Sequence, residues 1–217
     1  MNEHDYEPIP GLPAPLPPGE SILWQGAPCW RSMALRAMRV RQFAIYFAIL
    51  AAWGVLGGLS SGTPALDVAL STLRLGALAV LALALLALFA WLVARTTLYT
   101  ITSRRVVMRV GIALPMTLQI PFGRIHSADL RSWADATGDI SLTLSAGERV
   151  AYLVLWPHTR PWKIARPLPT LRAVADATSV ARILGRALAA SAAQPAKSVA
   201  AAPPGEAVAG AQLPAAA

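Results

Sequence analysis

The side chains best equipped for chemistry sit in LWPHTRPWKIARP, residues 155–167. That stretch joins Trp156, His158 and Trp162 to Arg160, Lys163 and Arg166, with prolines fixing its path. The set suits binding rather than bond-making. Trp and Arg are enriched where proteins meet one another, and Trp also gathers at the headgroup level of membranes. Three readings stay open: a partner site, a membrane contact, or a core Trp156 with solvated cations around it. A second basic pair, Arg104 and Arg105, falls at the bend of LYTITSRRVVMRVG, Leu98 to Gly111. There the pair can face anionic headgroups or a partner.

Catalytic patterns are missing from the chain. His4, His126 and His158 lie far apart without metal-ligand spacing such as HExxH, and read as ordinary surface or hydrogen-bonded histidines. Asp129, Asp135 and Asp139 cluster about one turn, and turn chemistry explains them better than a carboxylate pair. No Gly-rich loop opens a helix, and no GxSxG elbow appears. Cys29 is the only cysteine, which excludes an internal disulfide and a Cys-based zinc site. The expectation is a protein without metal or cofactor.

The elements that hold these residues follow from composition. The 217 residues are 55% hydrophobic and only 14% charged, which favours a small integral membrane protein with one modest soluble domain. The net charge of +8 comes largely from Arg flanking apolar runs, so a membrane explains it better than nucleic acid, for which no motif is present. Residues 1–19 are acidic and Pro-rich, lack the pattern of a secretory signal, and read as disordered. Residues 20–41 hold a short strand at Ile22, Leu23 and Trp24, then a basic juxtamembrane segment with Arg31, Arg36, Arg39 and Arg41.

Two apolar runs are long enough to cross about 30 Å of hydrocarbon. They are placed at residues 42–60 and 75–94, with a loop at 61–74 carrying Asp67 and Arg74. Basic residues before the first run and Arg95 after the second put both termini in the cytoplasm and that loop in the periplasm. Neither run holds an Asp, Glu, Lys, Arg or His, which disfavours a transporter. Ala44, Ala48 and Ala52, followed by Gly54 and Gly58, are small residues that let helix backbones approach. They serve packing within the hairpin or docking on a partner's helix. Trp53 and Trp91 suit interfacial positions.

Residues 95–188 change period. LYTIT, VVMRVG, LPMTLQI, RIHSADLRSW, ISLTLS, VAYLVLW and TLRAV read as short strands, and Asp176 opens an amphipathic helix through Val180, Ile183, Leu184, Ala187 and Leu188. Closely spaced strands predict an antiparallel barrel or sandwich with a helix that caps an open end. Residues 189–217 are Ala/Pro low complexity and read as a disordered tail.

Several blocks in order, LPPGESILWQGAPCW, YTITSRRVVMRVGIALPMTLQIPF, ADATGDISLTL and YLVLWPHTRPWKIARP, resemble the PuhB family of photosynthetic complex assembly proteins, which carry a bacterial pleckstrin-homology-like domain. The resemblance covers about Glu7 to Leu188. It implies a membrane protein with a two-helix transmembrane hairpin plus an all-β, seven-strand pleckstrin-homology-like open barrel capped by a C-terminal α-helix. It also implies a non-enzymatic assembly factor of the bacterial inner (intracytoplasmic) membrane. The implied partners are reaction-centre and core light-harvesting antenna subunits, other assembly factors and membrane lipid, with a homo-oligomer allowed. One rival is a membrane-surface lipid-binding module, by analogy with phosphoinositide-binding pleckstrin-homology domains, or a general envelope scaffold with the same domain. The other is a membrane-bound enzyme, which has no residue constellation in its favour.

Overall fold

The computed structural model describes residues 11–112, 114–145, 156–159 and 168–193. Strand β1, Ile22–Gly26, is followed by a short helix α1, Trp30–Ser32, that widens into a π-helical stretch, Met33–Ala37. Arg39, in the left-handed region at φ 54°, breaks the helix and re-aims the chain into α2, Val40–Ser60. A turn of four residues leads to α3, Ala65–Thr96.

Both α2 and α3 are long and apolar enough to cross a membrane. At about 1.5 Å per residue, α2 matches a hydrocarbon core and α3 overshoots it by about ten residues. Their large apolar side chains stay exposed, Trp53, Leu56 and Val80 among them. A water-soluble protein rarely leaves so large an apolar patch uncovered.

The contact face of α2 is set by Ala44, Phe47, Ala51, Val55 and Gly58, which are partly covered. A Cβ added to Gly58 would stand 2.6 Å from a methyl of Val68, so only glycine lets α3 approach there. Ala48, Ala52 and Gly54 are exposed, and nothing lies within 4 Å of a Cβ built on Gly54. Of these small residues, Ala44 and Gly58 face α3 and the other three do not: the covered positions follow steps of three, four, four and three. Residues 65–74, read as loop, are helical. Pro64 sits at the cap and Asp67 in the first turn, which is helix-start chemistry.

Seven strands follow or flank the helices among the described residues. Sheet order β1-β2-β3-β4 joins β1 to β2 (Leu98–Thr102), β3 (Arg105–Val110) and β4 (Met116–Pro121), all antiparallel. A second antiparallel sheet orders β5 (Ile125–Ser132), β6 (Gly138–Leu144) and β7 (Thr170–Val174). The sheets meet where Pro28 bridges Val174 and the Cys29 amide donates to the Ala173 carbonyl at 2.8 Å. Helix α4, Ala177–Ala193, lays Ala177, Val180, Leu184 and Ala187 into the shared core with Tyr99, Ile101, Met108, Ile140, Leu142 and Leu171. The Asp176 carboxylate accepts from the Ser179 amide at 3.4 Å. This arrangement fits an open barrel with a capping helix.

Two boundaries move. Leu12 is fully buried, so the segment read as disordered is anchored to the fold before residue 19. Helix α4 runs to Ala193, past the expected end at residue 188. The expected strand VAYLVLW lies outside the described residues except for Trp156, as do the tail from residue 194 and residues 1–10.

Candidate functional site

The barrel is fastened to the helices at one end, where the end of α3, the π-helical stretch, β7 and residues 156–159 converge. Thr97 ends α3, and β2 starts at the next residue. His158 is buried against this joint. Its Nδ1 lies 2.7 Å from the Tyr99 hydroxyl and its Nε2 lies 3.2 Å from Thr97 Oγ1. The Tyr99 oxygen already accepts the Arg172 amide at 3.1 Å. The phenol proton therefore goes to Nδ1, which leaves Nε2–H to donate to Thr97. Burial, with the Arg172 charge second, pushes the His158 pKa down to about 3, so the ring is neutral. Burial also pushes the Tyr99 phenol up. The group is a latch between residues 156–159 and the helix end.

A second fastening centres on Arg36. Its guanidinium donates to Ser32 Oγ at 2.7 Å and Thr137 Oγ1 at 2.6 Å, pairs with Asp135 at 3.0 Å, and lies 4.1 Å from the Trp133 ring centroid. The Arg36 bond holds the Asp135 carboxyl below its ordinary pKa, helped by Thr137. Met33, Ala34 and Met38 pack on Ala90, Val93 and Ala173 in a small separate core. The basic segment is therefore a clamped wedge between helix and barrel, and only its outer residues are free to face lipid.

Between wedge and barrel opens a cavity of about 840 Å³, lined by Arg36, Arg39, Arg41, Arg131 and Arg172, by Trp133 and Trp156, and by Thr159 and Asp139 among others. Arg172 Nε stands 3.6 Å from Asp139, whose other oxygen accepts the Ala173 amide at 2.8 Å. Desolvation raises the Asp139 pKa despite that hydrogen bond and the cations around it. Exposed apolar side chains surround this end of the barrel: Leu35, Ile112, Leu114 and Trp156. Trp156 packs on Phe89 of α3, with ring centroids 5.5 Å apart.

The residues singled out in the sequence separate here. Trp156 is half exposed and belongs to the junction. His158 is not a surface contact, because the latch buries it. Arg104 is exposed at the β2–β3 bend, whereas Arg105 is held by Glu20 at 2.9 and 3.0 Å and by Gln119 at 2.7 Å. That bend lies one strand away from the helix exit, about 17 Å at the usual rise per residue. Arg105 is thus an internal tie rather than a free headgroup contact. Arg160, Trp162, Lys163 and Arg166 lie outside the described residues. The cavity arginines Arg131 and Arg172 carried no sequence signal, and Arg36, Arg39 and Arg41 signalled only a basic flank.

The pattern that defines the bacterial PH domain family matches residues 43–188, spanning both long helices and the barrel. An uncharacterized 23.7 kDa protein in the puhA 5′ region of Rhodobacter capsulatus is 41% identical over 192 residues, covering 86% of this chain and 89% of that protein. No solved structure matches the chain.

Proposed function

The chain belongs to the bacterial PH domain family, and from that footing we propose that it is a membrane-anchored assembly factor for the photosynthetic reaction centre and its core light-harvesting antenna. It acts by binding and positioning partner subunits, not by catalysis. The single observation that carries this reading is the long, near end-to-end similarity to a protein encoded in the puhA 5′ region, a photosynthesis gene region. The family match supports the anchored barrel, since it takes in both apolar helices.

The geometry suits such a role. Helices α2 and α3 sit in the inner membrane, with the basic wedge and barrel on the cytoplasmic side. Their outward faces, including Ala48, Ala52 and Gly54, meet partner helices. The two fastenings limit barrel motion, so contacts in the membrane and above it are presented in fixed relation. A tagged full-length chain, extracted in gentle detergent from phototrophically grown cells, should retain reaction-centre or core antenna subunits. Recovery of the chain with none of these would contradict the reading.

A further inference from the structure

The cavity between wedge and barrel has more positive charge than the fold uses. Asp135 answers Arg36 and Asp139 answers Arg172. Arg39 and Arg41, by contrast, close no ion pair among the described residues, and Arg131 closes none either, sharing only the field of Asp139 with Arg172 and Arg36. Thr159 and Arg172 also line this cavity. Thr159 is only 2% exposed. Arg39 makes no side-chain cap to α2, and the Gln42 and Phe43 amides donate to its carbonyl, so Arg39 and Arg41 stand at the end of the helix dipole that favours anions.

We propose that this cavity binds the phosphate headgroup of an anionic membrane phospholipid, with Arg39, Arg41 and Arg131 as its charge partners. A phosphate ester has the acceptor oxygens that these donors need. The position selects a lipid over a soluble anion. Arg41 and Gln42 begin the apolar helix α2, and Leu35 and Trp156 form an apolar lip on the same cavity. A headgroup seated there leaves its acyl chains beside α2. The inference rests on α2 and α3 lying in a bilayer.

The test is native mass spectrometry of the full-length chain in detergent, with added phosphatidylglycerol or phosphatidylcholine. One phosphatidylglycerol should be retained in preference to phosphatidylcholine, and R41Q/R131Q should weaken that retention at least about tenfold. An Arg104→Gln control should retain lipid as the parent does. Unchanged thermal unfolding of R41Q/R131Q would show that the loss is not misfolding. Equal retention of both lipids, or retention indifferent to R41Q/R131Q, would overturn the site. Displacement of the lipid by glycerol 3-phosphate at equal concentration would overturn the lipid commitment in favour of a soluble phosphate ester. A chain that stays in solution without detergent would instead overturn the membrane reading beneath it.

Discussion

The hairpin bend and the helix–barrel junction are both rich in arginine, and the structure uses them differently. At the bend, Arg104 and Arg105 are adjacent in sequence, yet one is solvated while the other closes an ion pair with Glu20. At the junction, Arg41 and Arg131 are far apart in sequence and line one cavity. Adjacency in the chain thus says little about shared purpose in a β-hairpin. Successive side chains point to opposite faces, and a tight bend sends each to its own surroundings.

Breaking the latch should do most damage. His158→Ala leaves Tyr99 and Thr97 without their partner and opens a buried gap, for a loss of about 4 kcal/mol in thermal unfolding. The same residue gives the junction a pH signature. Its pKa is about 3 in the folded chain, below the ordinary 6.5. The unfolded chain therefore gains a proton first as pH falls. Its contribution is complete above pH 6.5 and declines by up to about 1.4 kcal/mol per pH unit toward pH 3. A folded His158→Gln variant should lack that component.

Next comes the hairpin. Gly58→Leu drives a side chain into Val68 and should cost about 2–3 kcal/mol, whereas Gly54→Leu should leave unfolding unchanged. Loss of partner retention in the Gly54 variant alone would sharpen the contrast between an inward and an outward face. At the bend, Arg105→Gln should cost about 2 kcal/mol by leaving Glu20 without its charged donor, and Arg104→Gln should stay within about 0.5 kcal/mol. Equal effects at the two arginines would break the distinction drawn here. Smallest of all in stability is R41Q/R131Q, within about 0.5 kcal/mol, because neither side chain closes an ion pair among the described residues.

Much of this architecture was legible in the residues. LYTIT, VVMRV and ISLTL alternate or stay apolar over strand lengths, and Val180, Leu184 and Ala187 repeat at helical spacing. The apolar runs showed the long helices, but charge at Asp67 and Arg74 concealed the first turns of α3. The junction was not legible, because its contacts join Arg36 to Thr137 and Tyr99 to His158 across long stretches of chain. No local pattern records such pairs. His158 looked like part of a basic aromatic surface because its neighbours in sequence are Trp and Arg, while its neighbours in space are Tyr99 and Thr97.

The central claim is that this chain serves assembly of the photosynthetic complexes. It is tested most directly by near-infrared absorption of membranes from a strain that lacks the gene, measured against total pigment. Reaction-centre and core antenna bands should fall together while pigment synthesis continues, and the intact gene should restore them. Unchanged bands and unchanged complex levels in the deletion strain would contradict the claim.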